Sequence, residues 1–268
     1  MTALQSLILG IVQGVTEFFP ISSSGHLVLI PYIFNWEGQP LAFDAILHLG
    51  TGLAVLFYFR REWWGMISSF IADLREADFS RTAFYASFSQ TSRQLVFLVL
   101  ASLPAILVGL LLNDWVESTF RLPWVVAVAL FVVGGLMLFT QKVQPTERLN
   151  LQTALLIGFS QVLALVPGVS RSGITITTAL FLGLRKDIAA QFSFLLSLPI
   201  VLGAGIWGLF SLSSLITSYQ LLVTGFVASL FSGLLAIHFF LKLLSYWGLI
   251  PFAVYRILLA ILFLLITY

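Results

Sequence analysis

The sequence has no cysteine, which removes disulfides and thiolate chemistry together. Charge is scarce as well: Asp, Glu, Lys and Arg make up 9% of the chain, against about 25% in an ordinary soluble domain. That shortage excludes a water-facing surface over most of the protein. The formal charge of +2 is too small to point to nucleic acid. None of the three histidines belongs to a cluster with the ligand spacing of a zinc site. The opening Met1-Thr-Ala-Leu-Gln5 has no basic stretch and no small-residue cleavage site, so it does not read as a cleaved signal peptide. What is abundant is apolar: hydrophobic residues reach 59%. Apolar runs recur at roughly 41–59, 95–112, 124–141, 188–210, 219–241 and 250–267. Each approaches or exceeds the ~17–20 residues that cross a hydrocarbon core as a helix. The chain is expected to be an integral membrane protein.

One stretch breaks this pattern. Two half-length apolar pieces, 1–19 and 27–35, flank a polar, turn-rich segment that contains Pro20, Ser22, Ser23, Ser24, Gly25 and His26. Non-helical backbone at membrane depth survives only where protein or a water-filled cavity satisfies it. An ionisable residue there is a functional-site hypothesis by default. Glu17 and His26 stand on either side of the break, so a re-entrant hairpin carrying an active-site loop is expected. Residues 60–93 form the longest polar segment and mix both signs with aromatic residues, which suits an interfacial amphipathic element. Short loops are expected at 113–122 and 141–150.

The break then recurs. Gly10, Gln13, Ser22, Ser24 and Gly25 are matched by Gly158, Gln161, Ser170, Ser172 and Gly173, at a constant offset of 148. Interrupted apolar segments at corresponding positions of two halves point to a binding site between inverted repeats. Three spans separate the hairpins, so the second must enter from the opposite face. With the N-terminus outside, Arg60, Arg61, Arg75, Arg81, Arg93, Lys142, Arg148, Arg185, Lys186, Lys242 and Arg256 fall at or near cytoplasmic ends, and only Arg121 falls outside. The expected fold is an all-α polytopic membrane protein forming one domain over 1–268. It comprises two inverted repeats, about 1–141 and about 150–268. Each repeat is a re-entrant helical hairpin plus three transmembrane helices, and the two loops meet near mid-membrane.

The second loop, Pro167-Gly-Val-Ser-Arg-Ser-Gly173, is suited to an anion. Its small residues offer backbone N–H groups in turns that form anion nests. A half-helix from about Ile174 would add a favourable dipole. Arg171 supplies an always-charged fork that matches phosphate. In the first loop Ser22, Ser23 and Ser24 are candidate nucleophiles, while His26 and Glu17 are candidate proton carriers. His26 could itself attack phosphorus. Asp44, His48 and Thr51 share one helix face, where capping and a site role are equally open. Asp187 is expected to cap its helix, and His238 reads as structural. A hard cation, magnesium or calcium, could be held by Glu17, Gln13 and substrate phosphates.

Gln13-x-x-x-Glu17, Pro20-Ile-Ser-Ser-Ser-Gly-His26 and Pro167-Gly-Val-Ser-Arg-Ser-Gly173 together resemble undecaprenyl-diphosphate phosphatase of the bacitracin-resistance type. The resemblance extends over the whole chain, including Phe43-Asp44 and Leu47-His48-Leu-Gly-Thr51. It implies hydrolysis of undecaprenyl diphosphate to the monophosphate and inorganic phosphate, recycling the lipid carrier for peptidoglycan synthesis. It implies a bacterial cytoplasmic (inner) membrane location with a site opening to the outer, periplasmic side, and catalysis by Glu17, Ser23, His26 and Arg171. Substrate-binding roles are expected for Gln13, Ser22, Ser24, Gly168, Ser170, Ser172 and Gly173. A divalent cation (Mg2+ or Ca2+) with Glu17 as ligand is implied as well. Where the family has Glu or Gln, Gln13 leaves one carboxylate instead of two. Whether Ser23 or His26 is the nucleophile stays open. The expected partners are the polyprenyl diphosphate and membrane lipid, and a homodimer is compatible with the sequence. The rival reading is a transporter or flippase for a phosphorylated lipid or anion, an architecture that also uses inverted repeats.

Overall fold

The computed structural model describes residues 1–77, 88–120, 122–142, 145, 149–210 and 218–267. Thr2 caps α1 (Ala3–Phe18) through a reciprocal box with Gln5. The helix stops there because Pro20 forces the preceding Phe19 into extended backbone. Ser22 then caps α2 (Ser23–Ile33). There follow α3 (Leu41–Tyr58), α4 (Arg60–Glu76), α5 (Gln90–Phe120) and α6 (Pro123–Phe139). A second capping box, Asn150 with Thr153, opens α7 (Leu151–Val162). A 3-10 turn (Leu163–Leu165) leads to α8 (Arg171–Phe181), and α9 (Lys186–Phe210), α10 (Tyr219–Trp247) and α11 (Ile250–Thr267) complete the chain. No strand occurs among the described residues.

The protein is an all-α polytopic membrane protein. Among the described residues, four helices are long and apolar enough to cross a membrane: Leu41–Tyr58, Gln90–Leu112, Lys186–Ile206 and Tyr219–Trp247. The other two expected spans, α6 and α11, are shorter apolar helices that pack against each other. Large side chains such as Leu111, Phe231, Leu258 and Leu265 face outward, a surface that hydrocarbon tolerates and water does not. The expected loop at 113–122 is mostly helical, because α5 continues to Phe120. Of the expected interfacial element, α4 is amphipathic, and residues 78–87 lie outside the described residues. The loop at 141–150 is described only in part, beginning with the 3-10 turn Thr140–Lys142.

What positions the site is the packing of α10 between α1 and α3. Without a hydrophobic drive between helices in lipid, association relies on close backbone approach through small residues and on interhelical hydrogen bonds. Gly14 shows how close: a Cβ there would lie 2.6 Å from the Ser229 carbonyl oxygen and 2.7 Å from the Gly233 nitrogen. Ser6 donates to the Leu221 carbonyl (2.6 Å), and Ser229 to that of Leu47 (2.9 Å). These contacts hold the polar end of α1 at a fixed height beside α3.

Gly14→Val should therefore destabilise the protein by about 1–3 kcal/mol, because, besides the Ser232 hydroxyl, the obstructing atoms are backbone and cannot swing away. Thermal unfolding of the detergent-purified variant would measure this, and an unchanged midpoint would contradict the close approach.

Candidate active site

Glu17 lies in the last turn of α1, 7% exposed. A carboxylate so placed is costly unless paired and hydrogen-bonded. Three donors converge on it. Arg171, the first residue of α8, brings Nη2 to Oε1 at 2.7 Å. Ser23, the first residue of α2, donates from Oγ to Oε2 at 2.7 Å. Gln13, one turn back on α1, donates from Nε2 to Oε2 at 3.1 Å. The two interrupted segments thus meet on one carboxylate. Of the expected catalytic residues, Glu17, Ser23 and Arg171 are in direct contact.

His48 joins them from α3. The Gln13 amide nitrogen also lies 2.9 Å from His48 Nδ1. Glu17 can only accept, so the amide must turn its nitrogen toward the carboxylate. Its second N–H then finds the His48 lone pair. This arrangement makes Nδ1 an acceptor, with the imidazole proton on Nε2. The 3.7 Å approach of Nδ1 to Glu17 Oε2 is accordingly no ion pair in this state. The sequence left His48 between capping and site, and the structure places it in the site. Its face-mates Asp44 and Thr51 do otherwise: Asp44 accepts from Gln39 at 3.0 Å, and Thr51 donates to the His48 carbonyl at 2.8 Å.

His26 is held in a different pairing. Its Nδ1 lies 2.7 Å from the Ser22 carbonyl, which can only accept, so the proton sits on Nδ1. Nε2 then accepts from the Tyr255 hydroxyl at 2.7 Å, with the rings within 9° of parallel. Both nitrogens are engaged, neither by Ser23 or Glu17. Nothing in the sequence marked Tyr255 for this position.

The two loops share a local conformation. Ser22 and Ser170 both adopt positive φ, 74° and 70°, a backbone region that costs a non-glycine residue about 1–3 kcal/mol. Each caps its helix by accepting from a glycine nitrogen, Gly25 at 3.4 Å and Gly173 at 3.1 Å. Ser22 pairs with Ser24 at 3.2 Å, and Ser170 with Ser172 at 3.3 Å. Ser172 is fully buried and reaches the carbonyl oxygens of Glu17 (3.2 Å) and Phe19 (3.4 Å) in the other loop. Gly168 is required by its φ of +94°, where a Cβ would meet the Val126 carbonyl oxygen at 2.6 Å. In this state Gly168, Ser170, Ser172 and Gly173 face protein and lock the loops together, while Ser24 is exposed.

Two expectations are corrected. Arg256, expected at or near a cytoplasmic end, does not reach water there: it is fully buried and donates to carbonyls of both loops. Its signal was its place inside an apolar run, where an ionised residue is costly. The half-helix of the second loop begins at Arg171, so the arginine belongs to the helix start and not to the loop before it. Asp187 sits in the first turn of α9, where its carboxylate accepts from the backbone N–H groups of Asp187 and Ile188, as expected of a capping residue, and pairs with Arg185 at 2.8 Å.

The expected divalent cation does not fit the donors as they stand. Both Glu17 oxygens are taken by hydrogen-bond donors, one of them a guanidinium. The remaining oxygen, Gln13 Oε1, is buried without a partner, but one amide oxygen is too few for a hard cation. No group of three acidic or histidine side chains with metal-binding proximity occurs among the described residues.

A family model described as bacitracin resistance protein BacA matches residues 6–262, nearly the whole chain.

The Glu17–Arg171 contact makes a coupled prediction. Glu17→Gln and Arg171→Met should each destabilise the protein. The double variant should lose less than the sum, by about 1–3 kcal/mol, because no buried charge is then left alone. A double-mutant cycle on thermal unfolding would measure the coupling, and strict additivity would refute it.

Proposed function

We propose, for a chain that belongs to the bacitracin resistance BacA family of undecaprenyl-diphosphate phosphatases, that its site hydrolyses undecaprenyl diphosphate to undecaprenyl phosphate and inorganic phosphate. The observation that supports this most is the convergence of a hydroxyl, a carboxylate and a guanidinium: Ser23 Oγ and Arg171 Nη2 each lie 2.7 Å from Glu17. A serine attacks only when a base accepts its proton, and Glu17 stands where that base is needed. His26, with both nitrogens engaged elsewhere, is the weaker nucleophile, so the choice falls on Ser23.

The reaction then follows from charge. A diphosphate carries more negative charge and more acceptor oxygens than one carboxylate. It competes for Arg171 and leaves Glu17 to Ser23. Ser23 Oγ attacks the terminal phosphorus as its proton moves to Glu17, and the bond to the bridging oxygen breaks. Undecaprenyl phosphate departs with that proton. Water next attacks the serine phosphate and gives a proton to Glu17, which returns it to the departing Oγ. Arg171 and the N-terminal ends of α2 and α8 would stabilise charge on the phosphoryl oxygens throughout. His48 and Gln13 keep the carboxylate oriented. Ser24, exposed at the start of α2, is the loop serine best placed to meet a substrate oxygen. Removing Arg256 from the basic residues counted as cytoplasmic leaves the bias intact. A site opening to the outer face of a bacterial cytoplasmic membrane therefore remains the orientation we favour.

The test is phosphate release from a long-chain polyprenyl diphosphate by detergent-purified protein, with and without a chelator. Wild type should release phosphate. Ser23→Ala and Arg171→Ala should each lose at least about a hundredfold, and His26→Ala should lose less. Full activity in folded Ser23→Ala would remove serine as nucleophile. No release from folded wild type supplied with cation would favour the transporter reading.

A further inference from the structure

Arg256 is the one fully buried arginine among the described residues, and no carboxylate faces it. All its hydrogen bonds go to backbone carbonyls. Nη1 donates to Pro20 (3.1 Å), in the first loop. Nη2 donates to Gly168 (2.8 Å) and Val169 (3.0 Å), in the second, and to Ala129 (3.3 Å) on α6. Nε donates to Leu130 (3.3 Å), also on α6. An ionised side chain in this setting is expensive, and its pattern of partners indicates what is gained. The Pro20, Gly168 and Val169 carbonyls belong to backbone that cannot form helical bonds, because the loops interrupt their helices, whereas those of Ala129 and Leu130 lie within α6. One planar fork satisfies both breaks together.

We propose that Arg256 is a positioning residue for phosphoryl transfer, the latch that fixes the first loop against the second and both against α6. The proposal rests on the hydrolytic reading of the site. Pro20 lies three residues before Ser23, and Val169 two residues before Arg171, so the register between nucleophile and phosphate-binding arginine passes through this side chain. A misplacement of about 1 Å at reacting groups can cost on the order of a hundredfold in rate. Gly173 is part of the same fit: a Cβ there would lie 3.2 Å from Nη1 of Arg256. Lysine cannot substitute, since a single ammonium has three donors and no fork.

The experiment uses the full chain and two variants, Arg256→Met and Arg256→Lys. Because the chain has no cysteine, spin labels can be placed cleanly at Val28→Cys and Leu163→Cys, which are 38% and 54% exposed and sit on the two hairpins. The label-to-label distance distribution should be narrow in wild type and broadened in both variants. With a long-chain polyprenyl diphosphate, kcat should fall by about tenfold to a hundredfold while KM changes less than about threefold. Arg256→Lys should not rescue the rate. An unchanged distance distribution in a folded variant overturns the latch, and so does wild-type kcat in Arg256→Lys. Should Arg256→Met fail to fold, Arg256→Lys decides by the same readings. The distance measurement needs no turnover, so it stands even if wild type releases no phosphate.

Discussion

A carboxylate in an apolar interior has to be answered by donors, and Glu17 is where the rest of this structure is bound to that requirement. Its partners come from four helices: Gln13 from α1 itself, Ser23 from α2, Arg171 from α8 and, through Gln13, His48 from α3. None of these contacts can form unless α1 and α3 are held against α10 and the two broken segments are brought tip to tip. The small residues on α1, α3 and α10 are the means of doing so. The charge at the centre and the glycines at the periphery are two ends of one constraint.

Much of this was legible in the sequence because interruptions in apolar runs are conspicuous. The serine and glycine loops, their common offset and the expectation that the two loops meet follow from asking what polar backbone could be doing inside a membrane; the ion pair between Glu17 and Arg171 does not. The long spans follow from composition. Other features had no local signature. Tyr255 meets His26 across more than two hundred residues of chain, and no spacing rule connects them. His48 shares a face with Asp44 and Thr51, and only the packing of α3 beside α1 shows which of the three reaches Glu17. Arg256 was misplaced for a different reason. A count of basic residues treats every arginine as seeking water, and this one is satisfied by carbonyls.

The two arginines divide one chemical property between two uses. Arg171 has an anionic partner that a more highly charged ligand can displace, so its position depends on what occupies the site. Arg256 has only backbone partners, whose acceptor strength does not change during turnover, so nothing in the reaction draws it away. A cation that is to exchange one anionic partner for another needs a frame held by something that does not compete for the ligand. A carboxylate partner for Arg256 would have neutralised it and added a further negative group beneath a site that, on the proposed reading, accepts a diphosphate. Carbonyls avoid both effects, and they explain why this charge is tolerated where it lies: it completes the backbone hydrogen bonding that the two loops give up in order to present Ser23 and Arg171.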